Sequence, residues 1–363
     1  MFLTILVFIL IFGLIVFVHE LGHFVMAKRA NIRIDEFGFG FPPRIFGIKK
    51  GETIYSLNLL PLGGFVKIHG EDGGKKDDLN KNRAFYSKPI GVRSRIIVAG
   101  VTMNLILAAF LLSLGYWIGS PNIIEDNEPG ILKDPRVQIT QIALNSPADM
   151  AGIKVGDTIA GLRAGGQELK VATVVGTQEF IGRYKGEEII FIIQRGDQAL
   201  EKNLVLRSEY PADQGLSGIA LARTAIVSYP WYQALFKGII SALSLTWFII
   251  TALGGILWNL IITGKLGVDI AGPVGIFNLT SQAAQLGFIY VLQLAVILNI
   301  NLAIINVLPI PALDGGRLLF LAIEKVKGSP LNQKFERYAN MTGFVLLIIL
   351  MIVVTWRDII RVF

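Results

Sequence analysis

Long runs of apolar residues alternate with polar segments along the chain. Four of these runs are long enough to cross the roughly 30 Å hydrocarbon core of a bilayer as helices that rise about 1.5 Å per residue. We assign these transmembrane helices to segments 1–27, 96–118, 286–317 and 338–358. The pattern therefore predicts a polytopic α-helical membrane protein with about four transmembrane helices.

The segment between the first two runs, 28–95, has a different pattern. Its stretches 34–41 and 54–68 are rich in β-branched, aromatic and leucine residues, are interrupted by glycine and proline, and are too short to span a bilayer as helices. We predict a membrane-associated region of β-hairpins that dips towards the bilayer. Such strands need cover from protein or a water-filled cavity, because lipid excludes open strand edges.

The segment 121–210 has the composition of a soluble α+β domain. Strand patterns at 137–144 and 188–195 flank a helical pattern at 146–153 that opens with Ser-Pro. The string from Asn145 to Ile159 resembles the bacterial PDZ signature. That resemblance implies a groove that accepts an extended peptide or protein segment by strand addition.

Composition and charge agree with a membrane protein. The chain is 53% apolar and 17% charged, with a mean hydropathy of +0.58 and no cysteine. The lack of cysteine excludes disulfides, a thiolate nucleophile and cysteine-ligated metals, so any metal must be held by His, Asp or Glu. The net charge of +7 is explained by membrane topology, and we expect no nucleic-acid partner.

Loop charges predict the orientation in the membrane. Segment 28–95 holds 14 Lys and Arg against 7 Asp and Glu, whereas segment 120–236 holds 11 against 14. Cytoplasmic loops carry the excess of Lys and Arg. We therefore expect 28–95 in the cytoplasm and 120–236, with the PDZ-like domain, outside.

The first apolar run contains the chain's most specific chemical motif. His19, Glu20 and His23 form an HExxH pattern, and residues four apart lie on one face of a helix. Both imidazoles can then reach one zinc ion, with Glu20 directed at a water molecule. Ionisable groups are costly inside a membrane span, so this cluster indicates a functional site.

A catalytic zinc normally has a third protein ligand. Asp314 stands out because two prolines break the chain before it and two glycines after it allow close approach. The residues alone leave other candidates near span ends, with His69 the one spare histidine: Glu324, Asp269 and Asp358.

Pairing Asp314 with HExxH restricts the topology, because the third span must then run in the same direction as the first. The intervening segment 211–285 must make a net even number of crossings. The uncharged stretch 238–263 is therefore predicted to be a membrane-surface helix, a re-entrant helix or a hairpin around Gly254-Gly255.

Several motifs together resemble the bacterial site-2 protease family of zinc intramembrane metalloproteases, in its branch with a single PDZ domain. They are HELGH (19–23), EFGFGF (36–41), PLGGFVK (61–67), AG with a later Asn (99–104), GPVGI (272–276) and NxxPxPxLDGG (306–316). Val101 departs from the family, which commonly has proline there, and this leaves the local shape of the second span open.

The resemblance implies a Zn²⁺ site with ligands His19, His23 and Asp314 and with Glu20 as the catalytic acid and base. It also implies that the substrate backbone is bound by Asn301, Asn306 and a strand edge at Gly38, Phe39 and Gly40. Expected substrates are single-span membrane proteins, such as pre-cleaved anti-sigma factors or remnant signal peptides. The expected location is the bacterial plasma (inner) membrane, with the active site towards the cytoplasm.

Two other classes of protein fit the residues less well. A zinc-containing scaffold that recruits envelope proteins through the PDZ-like groove would not need Glu20, and has no reason to align Asp314 with HExxH. A transporter is disfavoured, because the chain has no visible inverted repeats and would carry a large outer domain for which a transporter has no need.

Overall fold

The fold is described by a computed structural model that covers residues 2–71, 73, 80–124, 126, 132–196, 198–211, 214–264 and 272–362. The chain divides into two units. One contains Met1–Gly115 and Trp231–Phe363, and is called here the membrane unit; the other contains Tyr116–Pro230 and is called the inserted unit.

Helices and strands are numbered in chain order. The helices are α1 (Phe2–Arg29), α2 (Ile90–Ile118), α3 (Pro147–Met150), α4 (Val174–Arg183), α5 (Trp231–Thr263), α6 (Pro273–Leu286), α7 (Phe288–Val307), α8 (Asp314–Lys327) and α9 (Gln333–Val362). The strands are β1 (Ile34–Lys50), β2 (Thr53–Ile68), β3 (Ser120–Ile124), β4 (Leu132–Ile142), β5 (Thr158–Ala164), β6 (Gln167–Lys170), β7 (Glu188–Arg195), β8 (Gln198–Val205) and β9 (Ile219–Val227).

Five helices in the described residues are long and apolar enough to cross a membrane: α1, α2, α5, α7 and α9. This supports the predicted polytopic class, with one more candidate span than the four expected. The additional helix, α5, runs without interruption through Gly254 and Gly255. Of the three alternatives predicted for 238–263, the hairpin at these glycines is therefore wrong, because an apolar helix tolerates each glycine at a cost of only about 1 kcal/mol.

The third predicted span also differs from the structure. The sequence places one helix over 286–317, but α7 ends at Val307 and a new helix, α8, begins at Asp314. Pro309 and Pro311 lie in the connection and cannot donate the backbone hydrogen bonds that a continuous helix requires. The break gives Asp314 a position at the start of a helix.

Two apolar clusters hold the membrane unit together at different depths along α1. One packs Ile11 and Ile15 of α1 against α2, α5 and α7, and includes the fully buried Ile300. The other joins Ala27, at the end of α1, to β1, β2, α2 and α8. HExxH lies on α1 between the two clusters, where several helices surround it.

The start of α5 and helix α6 both contact parts of the bundle that are distant from HExxH. Near the start of α5, the Leu235 carbonyl accepts a hydrogen bond from Ser113 at 3.3 Å. In α6, Gly275 N–H donates to Asp358 at 2.7 Å, and Ser281 bonds to Thr4 at 3.4 Å. Thr4 lies about 22 Å along the helix from His19, because α1 rises about 1.5 Å per residue.

Strands β1 and β2 form the β-structure predicted for 28–95. Each strand folds back on itself, so that 36–39 pairs with 64–67 on one side and with 54–57 on the other. The end of β1, 46–50, pairs with 53–57. The order across the sheet is therefore 64–68, 34–39, 54–58 and 46–50, with 64–68 at one edge.

The inserted unit is an α+β fold. Its strands follow the order β3-β9-β4-β5-β7-β8, with β6 beside β5, and its core contains the fully buried Phe191 and Ile189. Ser120 in β3 pairs with Val227 in β9, so the two ends of the unit lie on adjacent strands. The unit consequently extends beyond the predicted 121–210, because β9 follows position 210.

Candidate metal centre

The two histidines of HExxH point to one spot from a single face of α1. Their side chains are buried, and His19 Nε2 lies 3.2 Å from His23 Nε2. The spacing of four residues brings them together, since it corresponds to about one helical turn. The predicted convergence of the two imidazoles is therefore present in the fold.

Asp314 reaches the same spot from α8. Its Oδ2 atom lies 3.0 Å from His19 Nε2 and 3.2 Å from His23 Nε2. Two glycines make this approach sterically feasible. A Cβ atom at Gly315 would overlap the carbonyl groups at the end of α7, and one at Gly316 would overlap the carbonyl group of Ile310.

Hydrogen bonds indicate that both imidazoles offer an unprotonated Nε2 to this spot. His23 Nδ1 lies 2.8 Å from the Ile96 carbonyl, which can only accept, so Nδ1 carries the proton of the neutral ring. His19 Nδ1 lies 3.4 Å from the Asn104 amide, and no other residue in the described part of the chain bonds to the buried Oδ1 of that amide. A half-turn of that amide lets Oδ1 accept the Nδ1 proton.

The resulting donor set fits a divalent cation. His19 Nε2, His23 Nε2 and Asp314 Oδ2 are then three lone-pair donors within 3.2 Å of one another, and no described residue donates a hydrogen bond to the buried Asp314 Oδ2. Such atoms repel one another unless a cation lies between them. Two imidazoles and a carboxylate form a ligand set typical of catalytic zinc.

Glu20 lies beside the three donors and is half-buried. Its Oε2 atom accepts a hydrogen bond from Val66 N–H at 3.1 Å. Strand β2 thus holds the carboxylate on the side of α1 that faces the sheet, within the same site as the donors. A carboxylate in that position can accept and return a proton during hydrolysis.

Comparison with known proteins identifies the family. The sequence model of peptidase family M50 matches residues 7–350 of this chain. The chain belongs to peptidase family M50. It is 33% identical to the "Regulator of sigma-W protease RasP" of Bacillus subtilis (strain 168), and the alignment covers 99% of both chains. A "Zinc metalloprotease RasP" of Bacillus licheniformis is 32% identical over 99% of both chains.

A "Putative zinc metalloprotease" of Clostridium acetobutylicum is 33% identical, with 99% of this chain and 98% of its own length covered. These findings confirm the resemblance to the site-2 protease family that was drawn from the sequence motifs. They also agree with the buried donor set, since the relatives from Bacillus licheniformis and Clostridium acetobutylicum carry zinc in their names.

The family M50 site in this chain contains two residues whose roles are not evident from the motifs alone. Asn104 is fully buried and orients His19, while its backbone carbonyl accepts a hydrogen bond from Asn299 Nδ2 at 2.6 Å. Gly100 brings α2 against the imidazoles, because a Cβ atom there would lie 2.5 Å from His23 Nε2. The motif around 99–104 contained both residues, but only the packing reveals what each does.

The asparagines predicted to bind the substrate backbone differ in position. Asn306 lies in the site, with its Nδ2 atom 3.4 Å from His19 Nε2. Asn301 Nδ2 donates instead to the Ile297 carbonyl one turn earlier in α7, at 2.9 Å. Of the two, Asn306 is the one next to the metal-binding atoms.

The strand edge predicted at Gly38, Phe39 and Gly40 is also placed differently. Gly38 and Phe39 pair on both sides and lie inside the sheet. The edge next to the metal centre is 64–68, where Val66 directs its N–H towards Glu20. One sequence shows that strands are present, but the order of the strands depends on pairing across the whole 28–95 segment.

The other candidate metal ligands have different partners. Glu324 forms a two-pronged ion pair with Arg93 at 2.5 and 3.0 Å. Asp358 accepts from the first turn of α6. His69 lies 3.5 Å from Asp35, and Asp269 is outside the described residues. Within the described residues, Asp314 is the carboxylate that joins the two histidines in a metal-binding group.

Proposed function

We propose that this family M50 peptidase is a zinc-dependent endopeptidase that hydrolyses peptide bonds within the transmembrane segments of single-span proteins. The convergence of two unprotonated imidazole nitrogens and a buried carboxylate oxygen, beside Glu20 and among apolar helices, carries this proposal. The names of the relatives support zinc as the metal.

The chain's own residues divide the chemistry between them. Zinc held by His19, His23 and Asp314 would polarise the peptide carbonyl and lower the pKa of water. Glu20 takes the proton from the attacking water and returns it to the leaving amine. The hydrogen bond from Val66 keeps the carboxylate in place, and Asn306 can hold the substrate backbone beside His19.

A substrate helix must unwind before it can be cut, because a helix uses its carbonyl groups in its own hydrogen bonds. Each unpaired backbone group in the membrane costs several kcal/mol. The edge strand 64–68 offers replacement partners next to Glu20. We therefore place the unwound substrate along this edge, while Gly38, Phe39 and Gly40 form the strand behind it.

The positions of the helix ends support the even number of crossings predicted for 211–285. Leu235 and Gly275 both contact bundle ends distant from HExxH. A crossing by α5 would put the end of that helix on the opposite side of the bilayer from the start of α6. We therefore propose that α5 makes no net crossing and stays at the outer side of the membrane, packed against the outer part of the bundle.

The charge pattern supports an active site towards the cytoplasm and a 120–236 segment outside the bacterial plasma membrane. We propose that the inserted unit is a PDZ-like module that binds extended segments and restricts access to substrates that have already lost their outer domains. Anti-sigma factors and remnant signal peptides are the substrates of this kind. The sigma-W regulator name of the Bacillus subtilis relative supports the first class.

The function can be tested by co-expression with a tagged single-span reporter that lacks its outer domain. We expect cleavage in membranes by the wild type and no cleavage by Glu20→Gln. Glu209→Gln is the matched control, because Glu209 is an exposed carboxylate in the inserted unit. It should cleave as the wild type does.

Two outcomes would contradict the proposal. Equal cleavage by Glu20→Gln would exclude Glu20 as the base. No cleavage of several reporters by any form, with zinc bound at one equivalent, would favour a binding protein instead.

A further inference from the structure

A groove of about 580 Å³ lies between α1 and α2 in the half of the bundle that contains HExxH. Its volume is within the range of roughly 300–1,000 Å³ that small-molecule sites occupy. Apolar side chains from both helices line its length. They are Val25, Met26, Val98, Met103 and Ile106.

The two helices are in backbone contact at the floor of this α1–α2 groove. A Cβ atom at Gly22, inside HELGH, would overlap the Ala99 carbonyl. The adjacent Gly100 contacts the imidazoles. One layer of small residues therefore separates the groove from the metal centre, and whatever fills the groove supports the α1–α2 contact.

One end of the groove is basic and polar. Arg29 is the last residue of α1, and Arg95 and Ser94 lie near the start of α2. Within the described part of the chain, neither arginine forms an ion pair, and both are exposed.

Basic residues nearby are paired with carboxylates. They are Lys28 with Glu52 at 3.1 Å, Arg33 with Asp35 at 2.8 Å, and Arg93 with Glu324 at 2.5 Å. The two arginines at the groove differ from these three neighbours, and their charge is available to an external anion.

The length of the groove matches one leaflet of a bilayer. Arg95 and Ile106 are both lining residues on α2, and eleven steps at about 1.5 Å each separate them by about 16 Å. Half of a roughly 30 Å hydrocarbon core is about 15 Å. A lipid whose phosphate lies at the arginines would therefore place its acyl chain along the apolar wall to the middle of the bilayer.

We propose that the α1–α2 groove binds an anionic phospholipid, with its phosphate held by Arg29 and Arg95 and one acyl chain along the apolar wall. Guanidinium groups donate paired hydrogen bonds to phosphate, and basic pockets between transmembrane helices select anionic lipids. The proposal requires only that α1 and α2 span the bilayer, and it does not depend on peptidase activity.

The full chain, purified in detergent, can be titrated with phosphatidylglycerol and with phosphatidylcholine of the same acyl chains, and bound lipid counted by native mass spectrometry. The wild type should prefer phosphatidylglycerol. R29Q/R95Q should reduce this preference roughly 25-fold, about fivefold for each arginine near an anionic head group. R29K/R95K should retain most of it.

A second variant tests the apolar wall. Thr102 is an exposed lining residue, and T102W should fill the groove and reduce the binding of both lipids. K325Q/K327Q removes two exposed charges near the end of α8 and should bind like the wild type.

Unchanged preference in R29Q/R95Q would overturn the proposal, as would unchanged lipid binding in T102W. Full competition by free glycerol phosphate would show a phosphate site rather than a lipid groove, and would also overturn it. Each variant's thermal unfolding in detergent should match that of the wild type without added lipid.

Discussion

Replacement of Gly100 by alanine is the sharpest test of how the metal centre is built. An alanine Cβ would lie 2.5 Å from His23 Nε2 and 2.8 Å from His19 Cε1, whereas ordinary contact begins at 3.4 Å. The His23 ring or helix α2 must therefore shift by about 0.9 Å. Zinc sites tolerate deviations of only about 0.2 Å in ligand distance.

The expected effect is on metal affinity more than on folding. Disturbing the groups that orient metal ligands typically costs about 10- to 100-fold in affinity or activity, and we expect G100A to lose at least that much. Overpacking typically costs about 1–3 kcal/mol of stability, which a bundle of this size can absorb. The variant should thus remain folded but bind zinc weakly.

The assay is a zinc competition titration against a chelator of known affinity, followed by reporter cleavage in membranes. G91A is the matched control on the same helix, because a Cβ atom at Gly91 meets nothing within 4 Å. It should bind zinc and cleave as the wild type does. If G100A also behaved as the wild type, the imidazoles would not be packed against α2, and the role of Gly100 in the metal centre would be refuted.

Two further predictions concern neighbouring residues. N104A should weaken zinc binding by about 10- to 100-fold, because His19 loses the amide that sets its tautomer. N301A removes an amide that donates to the Ile297 carbonyl of its own helix, and it should leave zinc binding unchanged. Equal effects of the two variants would argue against the role of Asn104. A hydrogen bond from Arg83 is the main cause that lowers the pKa of Glu52 from 4.5 to about 2. The stabilisation from this ion pair is therefore complete above pH 4.5 and is lost as the pH falls from 4.5 to 2. Thermal unfolding across that range should show a smaller decrease for E52Q, and an identical decrease would contradict the assignment.

Much of the candidate site could be predicted from the sequence because its signals are local. The spacing of His19 and His23 specifies a shared helix face, and apolar length identifies spans without any knowledge of packing. The third metal ligand has no comparable local signal. The residues alone left four carboxylates open, and resemblance to the family selected Asp314. The structure places it with the histidines and gives Glu324 and Asp358 other partners.

Consecutive residues are enough to specify the membrane class, the HExxH helix and the presence of strands in 28–95, because helical and strand periods are local properties. The folded chain was needed to show which strand forms the edge next to Glu20, that Gly100 and Asn104 shape the metal centre, and that α5 is continuous through its glycines. These features depend on contacts between residues that are distant in the chain. Many registers and helix packings satisfy the same local pattern, and only the complete set of contacts selects among them.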